Sequence, residues 1–553
     1  MKKTIIIASI TIMTVFTACE KNFDPKIYGV LTSQNFPVSE SDYVNMMMAC
    51  YTPYVNTWMY SLLASSGNQH PWYIPAGGVI RQFDEPTDEM APWMNGAWDT
   101  NYRQYSEANF SNGVYYPRNN PDDTRPNNYP KTREVTRFTE IIGALQNAST
   151  QKVSQERKNE ILAEARLCRG LHMYNLLHIY GPVPVIVNPD DVGKEEALNN
   201  AVRPDLEDMT SWIYDDFEFA ATYAPETQAE RGRFTRDFAR VMLMRHCLNE
   251  GYHKDGWYQK AKDLFTELDT GRYNLFTTGA NPYKEMFREV NDFNVEIIAA
   301  ISCDPSSTGN NKEGGMNPFF MLSTPNNCAK KDDLGNPTPF SVTGPGWGMV
   351  FNLSPKFYDT FEAGDLRKES IITRYYTVGG QWWGPSEIGK KAEWDGYIPY
   401  KYPAETATAP CMGNDFPLAR WADVLLMYAE ADVRVSGAAP SAEAVAAVNT
   451  VRQRAGLGPL AAKYTATADS FLDALLTERG HEFWYEGLRK IDLIRFNQYA
   501  QRCRKCKLRI PSHQYLPIPN YAIEEAENAG AVLEQTYSRE GWEEDLEIAR
   551  SIK

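Results

Sequence analysis

The sequence predicts a mainly α-helical protein, an irregular α-superhelix that carries long loop-rich insertions. Two observations lead to this fold class. In several separated stretches the apolar residues recur at intervals of three and four, which is the period of one helix face. Between these stretches, residues 64–133 and 300–417 are rich in Gly, Pro, Asn and aromatic residues and lack that period. Ordered loops of this length usually serve binding, so we expect the function to lie there.

Four helices are predicted before residue 270. The first ends at Gly181-Pro182, since proline stops a helix. The third has Thr235 as its N-cap and Gly251 as its C′ residue, in keeping with the preferences of helix ends. The predicted spans are 161–179, 206–223, 235–251 and 258–268.

The C-terminal part predicts three more helical stretches. An apolar face over 421–428 has its partner over 444–455, across a turn at 437–440. One last long helix is predicted from Ser470 to about Phe496. Helix pairs joined by short Gly/Pro turns are typical of tetratricopeptide-like hairpins. The predicted superhelix is therefore a stack of such hairpins, too degenerate to align with one another.

The N-terminal residues predict export. Two lysines precede an apolar run over 5–16, which is shorter than the ~20 residues of a membrane-spanning helix. This pattern is typical of a secretory signal. Small residues end the run directly before Cys19. We predict that residues 1–18 are a lipoprotein signal peptide and that Cys19 carries the lipid anchor. The alternative is an ordinary signal peptide that is cut nearby.

Composition argues against nucleic acid as a partner. The chain has 71 acidic and 56 basic residues, a net charge of −15, whereas phosphate binding needs clustered Lys and Arg. Nine scattered cysteines form no disulfide framework. The close pair Cys503 and Cys506 lacks the second pair that a zinc site needs. It is predicted to be either a local disulfide or two thiols.

Several segments carry a family resemblance. Residues 164–184 end in Tyr-Gly-Pro-Val-Pro, and residues 416–431 end in Tyr-Ala-Glu-Ala. Residues 477–495 contain Glu-Arg, Glu-Gly-Leu-Arg and Asp-Leu-Ile-Arg, and residues 515–519 read Tyr-Leu-Pro-Ile-Pro. Through these segments, with Trp98, Tyr102 and Asn109, the chain resembles the SusD/RagB family of nutrient-binding outer-membrane lipoproteins. It departs from the family near residue 535, where Gln-Thr-Tyr replaces a Gln-Asn-Pro-Gly-Tyr ending.

The resemblance implies a SusD-like domain over 19–553. Helical repeats would occupy about 38–290, and a loop-rich and C-terminal helical part about 291–553. It also implies a lipid-anchored place on the outer face of the outer membrane. There the protein would pass a glycan, or in some relatives a peptide, to a SusC-like TonB-dependent transporter.

The charges of residues 478–489 are predicted to be structural. Glu478, Arg479, Glu482, Glu486 and Arg489 recur at helical spacing, which makes opposite charges neighbours on one helix. Buried, they would fix the helix register against the Pro-Ile-Pro segment. We therefore do not expect them to contact a ligand.

No catalytic motif is found in the sequence. His-Glu-x-x-His and Gly-x-Ser-x-Gly are both missing, and His172, His178 and His246 are expected in the core or at the surface of helices. We predict no enzyme activity, no cofactor and no metal. Three alternatives stay open: a peptide-binding protein, a scaffold or adhesin on this fold, and a surface glycoside hydrolase, whose carboxylates are defined only by their separation in space.

Aromatic residues in the loop-rich segments are the candidates for ligand binding. Indole and phenol rings can stack on sugars, and polar neighbours can bond their hydroxyl groups. For each, packing within the loop is an equally good interpretation. The candidates are Trp72 and Tyr73 with Asn68, His70 and Arg81, then Trp347, and then Trp382 and Trp383.

Overall fold

The computed structural model describes residues 37, 39–51, 54, 79–94, 100–110, 129–151, 153–303, 317, 319–342, 344–346, 348–405, 412–507 and 509–553. Up to residue 290 these residues form α1 (Glu40–Met48), α2 (Val79–Phe83), α3 (Thr100–Ser106), α4 (Lys131–Gln146), α5 (Gln155–Tyr180), α6 (Glu195–Asn199), α7 (Leu206–Tyr223), α8 (Arg236–Glu250), α9 (Trp257–Leu268) and α10 (Pro282–Met286). Beyond it they form α11 (Phe319–Ser323), α12 (Pro355–Tyr358), α13 (Trp421–Ser436), α14 (Ala442–Arg454), α15 (Ala468–Phe483), α16 (Arg489–Arg495), α17 (Tyr499–Lys507), α18 (Asn520–Asn528) and α19 (Trp542–Ser551).

The long helices pack in succession. Helix α4 packs on α5, α5 on α7, α7 on α8 and α8 on α9, while α13 packs on both α9 and α14. Contacts that pass from each helix to the next are what a superhelix of helical hairpins requires. The main apolar core runs through these helices, and a smaller one lies between α15, α16, α17 and α19. The mainly α-helical fold class is confirmed.

Short strands connect the loop-rich part to the helices. They are β1 (Ile297–Ile301), β2 (Ile371–Ile372), β3 (Tyr375–Tyr376), β4 (Trp382–Trp383), β5 (Ile398–Pro399) and β6 (Phe416–Arg420). All pairs are antiparallel: β1 with β6, β2 with β5, and β3 with β4. Since β6 leads directly into α13, its pairing with β1 ties the two ends of the loop-rich part together. The domain division at about residue 290 stays a prediction.

The predicted ends of two helices can be compared with the structure. Helix α7 has the predicted bounds, and Thr235 caps α8 by accepting a hydrogen bond from the Phe238 N–H at 3.4 Å. Gly251 follows α8 with φ −62°, so it is not a left-handed C′ residue. A Cβ there would lie 2.5 Å from the Tyr258 ring. Glycine is therefore needed at 251 for close packing against that ring.

The predicted single helix from Ser470 to about Phe496 is wrong. Helix α15 ends at Phe483 and α16 begins at Arg489. Between them, Tyr485 and Gly487 have left-handed φ values of 61° and 78°. The Asp84 carboxylate holds this turn by accepting hydrogen bonds from the N–H of Gly487 at 2.7 Å and of Arg489 at 3.2 Å. Helical spacing of the charges continues through the turn and conceals it.

The charges of residues 478–489 are buried and pair with other elements, not with their helical neighbours. Glu482 binds Arg420 at 3.0 Å and Arg367 at 3.3 Å, and it also pairs with Arg454. Burial alone would raise the pKa of Glu482, but the three arginines hold that pKa at about 2. The charges of residues 478–489 thus do not have the Pro-Ile-Pro segment as their partner. In that segment the Ile518 N–H donates to the Gln535 carbonyl.

Two further arginines extend this buried network. Arg479 binds Asp423 on α13 at 2.7 Å and Asp492 on α16 at 2.8 Å. Arg489 binds Asp88 at 2.7 Å and so docks residues 84–88 on α16. A buried ion pair need not add stability over an apolar pair, but removing one partner leaves a buried charge uncompensated. The network therefore joins α13, α15 and α16 to residues 84–88, and the loss of any one partner is expected to destabilise this contact.

Candidate functional site

A small hairpin in the loop-rich part exposes an indole ring. Strands β3 and β4 pair with Tyr376 opposite Trp382 and Tyr375 opposite Trp383. The turn between them closes with hydrogen bonds from the Thr377 N–H to the Gln381 carbonyl at 2.9 Å and from the Gly380 N–H to the Thr377 carbonyl at 3.0 Å. Because neighbouring residues of a strand point to opposite faces, Trp382 and Trp383 do not form one paired platform.

A third segment widens the hairpin on the side of β3. Cys328 forms an antiparallel bridge with Thr377. The Ala329 N–H donates to the Tyr376 carbonyl, and the Val378 N–H donates to the Asn327 carbonyl, both at 2.8 Å. This pairing brings the exposed loop over 330–337 next to the hairpin.

Trp382 is the centre of the exposed face of this hairpin. Its side chain is 38% exposed, a large fraction for tryptophan. Its indole N–H donates to Asp333 Oδ1 at 3.1 Å. The Arg374 guanidinium lies over the ring, 4.4 Å from its centroid, and the Tyr376 ring lies 5.3 Å from it at a tilt of 55°. We call Trp382, Tyr376, Arg374 and Asp333 the Trp382 face.

The opposite side of the hairpin is structural. Trp383 packs against the main core, and its ring centroid lies 5.7 Å from that of Tyr375. Tyr375 in turn contacts Trp394, which is fully buried and donates its indole N–H to the Gly384 carbonyl at 2.8 Å. These aromatic contacts fix the hairpin on the core. The Trp382 face is therefore presented on a rigid support.

Of the predicted binding residues outside the hairpin, the structure describes Arg81, which is not part of this face. Asn68, His70, Trp72, Tyr73 and Trp347 lie outside the described residues, as does Cys19. Arg81 is only 1% exposed, pairs with Glu85 on its own short segment, and lies over the Phe351 ring at 4.8 Å. Its guanidinium is thus used inside the protein.

Arg374, Tyr376 and Asp333 are not among the predicted binding residues. A signal for them is present, since Tyr-Tyr and Trp-Trp flank a Gly-Gly turn at 375–383. Two glycines between aromatic runs are typical of a β-hairpin, and the pairing would place Arg374 and Tyr376 beside Trp382. Asp333 has no such signal, because only tertiary structure brings its loop there.

The histidines of the long helices are buried in the core. His172 and His178 have pKa values lowered to about 3 by burial, and His246 has one lowered to about 4. Of the two expected placements, the core and the surface of helices, the structure shows the core for all three. Cys503 and Cys506 are free thiols, so the thiol alternative is correct. Within the described ranges, no His, Cys, Asp and Glu cluster could hold a metal ion.

A cleft lies among the helices, away from the hairpin. It has a volume of about 760 Å³ and is lined by α4, the extended segment over 184–188, residues 197–204, the start of α7 and α18. Two apolar side chains on its rim, Leu198 and Val202, are exposed. It shares no lining residue with the Trp382 face.

Comparison with known proteins identifies two family models that match the chain. One, described as the SusD family, matches residues 340–533, and the other, described as starch-binding associating with outer membrane, matches residues 82–248. A SusD-like protein of Bacteroides ovatus is 26% identical over 475 residues, which is 77% of this chain and 78% of that protein. The starch-binding protein SusD of Bacteroides thetaiotaomicron is 25% identical over 66% of this chain and 69% of its own length.

The fold is shared with solved structures. The surface glycan-binding protein A from Bacteroides thetaiotaomicron, in complex with laminarihexaose, superposes with a TM-score of 0.67 at 17% identity. The match covers 90% of this chain and all of that chain. At this identity the likeness concerns the fold, and the helical-hairpin architecture predicted from the sequence agrees with it.

Proposed function

The chain belongs to the SusD family, and on that premise we propose that it binds an oligosaccharide or polysaccharide at the cell surface and delivers it to a SusC-like TonB-dependent transporter. The observation that carries the proposal is the exposed Trp382 indole, with polar groups at its edge and face. A B. thetaiotaomicron relative is named a starch-binding protein, and a protein of the same fold was solved with laminarihexaose.

The Trp382 face offers both kinds of contact that a sugar needs. The indole face that Arg374 does not cover supplies a flat apolar surface for the C–H face of a pyranose ring. Asp333 can accept hydrogen bonds from sugar hydroxyl groups, Arg374 can donate them, and the Tyr376 hydroxyl can do either. A few polar groups around an aromatic surface are the usual composition of a ligand site.

Glycan binding by the soluble chain from residue 20 onward tests this proposal. We expect Trp382→Ala to reduce retention by the bound polysaccharide in affinity electrophoresis by about two- to tenfold, since one stacked ring contributes roughly 0.5–1.5 kcal/mol beyond its buried area. Tyr464→Ala is the matched control, because Tyr464 is an equally exposed aromatic residue on another element. Binding of peptides and of no glycan would overturn the proposal, as would retention unchanged by Trp382→Ala.

We propose binding without cleavage. Asp333, the carboxylate in contact with the indole, is engaged by the indole N–H, and a glycosidase needs a second carboxylate at a set separation of about 5–9.5 Å. Incubation of the protein with its bound glycan should release no new reducing ends. Release that scales with protein concentration and is lost in Asp333→Asn would identify a hydrolase instead.

We propose that Cys19 anchors the chain by lipid. Small residues directly before Cys19 support this proposal, and one of the matching family models is described as associating with the outer membrane. Among the described residues, no helix has both the length and the apolar character that crossing a membrane requires. Labelled palmitate should enter the full chain and not Cys19→Ser. Equal labelling of both would overturn this assignment.

The cleft of about 760 Å³ is the surface that we propose for the transporter. Exposed Leu198 and Val202 on its rim would be covered by an apolar segment of the partner. Leu198→Asp with Val202→Asp should abolish co-purification with the transporter and leave glycan binding unchanged. Co-purification that survives the double substitution would exclude this surface.

A further inference from the structure

The charges around Trp382 indicate whether the glycan that binds there is acidic or neutral. We infer that the Trp382 face, if it binds glycan as proposed above, prefers an acidic glycan whose carboxylate or sulfate group is bound by Arg374. The inference rests on the proposed function of this face and adds the chemical class of its ligand.

The first observation is that cations collect at this hairpin without acidic partners. Arg374 lies before β3, Lys330 and Lys331 follow the segment that pairs with β3, and Lys390 and Lys391 follow β4. Of these, Arg374 lies over the Trp382 ring, whereas the Lys391 ammonium lies over the Trp383 ring on the opposite side of the hairpin and Lys330 donates to the Val342 carbonyl. None of these five makes an ion pair with a carboxylate within the part of the chain that the structure describes. Exposed or partly exposed arginines elsewhere, such as Arg137, Arg236 and Arg288, do pair with glutamates. The same segments also carry Asp332, Asp333, Glu387 and Glu393, so their charges nearly balance, whereas the whole chain has a net charge of −15.

The second observation is that three of the nearby carboxylates, those of Asp332, Asp333 and Glu387, are used by N–H and O–H donors, whereas Glu393 Oε2 has no hydrogen-bond partner among the described residues. Asp332 accepts the N–H of Leu334 at 2.9 Å and that of Asn336 at 2.8 Å, which closes its own loop. Asp333 accepts the Trp382 indole. Glu387 accepts the Gly384 N–H at 2.8 Å and the Ser386 hydroxyl at 2.7 Å. The hydrogen bonds from Ser386 and Gly384, together with the charge of Lys390, lower the pKa of Glu387. Arg374 has no carboxylate partner among the described residues, so its counter-charge is free to come from a ligand.

The third observation is the position of Arg374. Its guanidinium carbon lies 4.4 Å from the centroid of the Trp382 ring. A guanidinium stacked on an aromatic ring keeps its N–H donors at its edge, in the fork that matches a carboxylate or sulfate. Because the guanidinium covers one face of the indole, a sugar would stack on the other face, and the N–H donors at the guanidinium edge would bind an acidic substituent that extends past the rim of the ring. A uronic acid residue or a sulfated sugar carries such a substituent, whereas a neutral sugar leaves the guanidinium unpaired.

The test compares acidic and neutral polysaccharides on the same protein. The panel is polygalacturonate, alginate, glucuronoxylan and chondroitin sulfate against starch, laminarin, galactan and mannan, at low ionic strength. Whichever acidic polymer binds is then carboxyl-reduced or desulfated, which removes the charge and keeps the backbone. We expect binding of an acidic polymer only, lost on removal of its charge and weakened by salt.

The variants assign the effect to Arg374. Arg374→Gln should weaken binding of the acidic polymer by about tenfold, the loss of one charge-assisted hydrogen bond, and Arg374→Lys should restore part of it. Lys463→Gln is the control, since Lys463 also lies over an exposed ring, 4.6 Å from Tyr464. Binding of neutral polymers alone, or of acidic ones without an Arg374 effect, overturns the inference and leaves the proposed function standing. Binding of no polymer in the panel overturns both.

Discussion

Glu482 and Arg420 form an ion pair at 3.0 Å in the core, although 62 residues separate them. Neither side chain reaches solvent, and each has further charged partners. Charges taken out of water cost several kcal/mol per ion unless every partner is in place. The packing of β6 on α15 thus depends on this ion pair. We therefore expect a substitution of either residue to destabilise the protein.

Glu482→Ala should lower the free energy of unfolding by about 3–5 kcal/mol, because three arginines would keep buried charges without their shared acid. Urea unfolding followed by circular dichroism measures this change. Glu525→Ala is the control, since Glu525 and Arg133 form an exposed pair at 3.9 Å, and the urea midpoint should not move. Equal midpoints for the two variants would contradict the structural role of the network.

Lys490→Met should change the pH dependence of stability. Lys490 is buried between Phe110 and Tyr499, and burial lowers its pKa to about 7. The pKa of lysine in the unfolded chain is about 10.4. The wild type therefore loses stability as pH falls from about 10 to 7, by about 1.4 kcal/mol per unit of pKa shift.

Lys490→Met has no side-chain ammonium, so this pH-dependent loss of stability is missing from the variant. Its advantage over the wild type in urea unfolding should be largest near pH 7 and shrink toward pH 10. Other buried lysines titrate in both proteins and cancel in the difference. An advantage that is constant over this range would show that the Lys490 ammonium is not affected by burial.

Gly487→Ala should destabilise the protein more than Gly437→Ala. Both glycines have left-handed φ, 78° and 61°, and an L-residue pays about 1–2 kcal/mol for that conformation. At 487 the new Cβ would also lie 2.6 Å from Val79 Cβ, whereas at 437 it would meet open space. Overpacking adds about 1–3 kcal/mol. Thermal unfolding should rank the two variants in this order, and the reverse order would refute the packing argument.

Trp394→Ala and Trp382→Ala should separate the structural support of the β3–β4 hairpin from its binding of glycan. Trp394 is fully buried under the hairpin, so its removal should cost about 3–5 kcal/mol. Trp382 is partly exposed, and its removal should leave the melting temperature within a few degrees of the wild type. A large loss of stability in Trp382→Ala would mean that any loss of glycan binding in that variant reports unfolding.

Local patterns predicted the helices well and the turn after Phe483 badly. The bounds of α7 and the Thr235 cap depend on residues that are close in sequence. The apolar period therefore predicts the bounds of the helix, and the hydroxyl side chain predicts the cap. The turn at 484–488 depends on Asp84, which is 403 residues from Gly487 in sequence. No spacing within residues 470–496 carries that information, and the charges there suggest a continuous helix.

The candidate site was predictable only in part. Trp382 stands out in sequence because glycines flank its neighbourhood and loops seldom carry two adjacent tryptophans. Which face of the hairpin is solvated follows from the contact of Tyr375 with Trp394. That contact is made by packing, and so it is visible only in the folded chain.

The docking of residues 84–88 on α16 has a consequence for how the chain folds. Asp84 and Asp88 meet partners 401 to 405 positions later. During synthesis from the N-terminus, this acidic segment stays exposed to solvent until residue 489 has been synthesised. Closing so long a loop is slow, because its entropy must be lost before the contacts form. The helical hairpins, with their local contacts, can assemble first, and the closure of this loop is expected to be the late, rate-limiting event of folding.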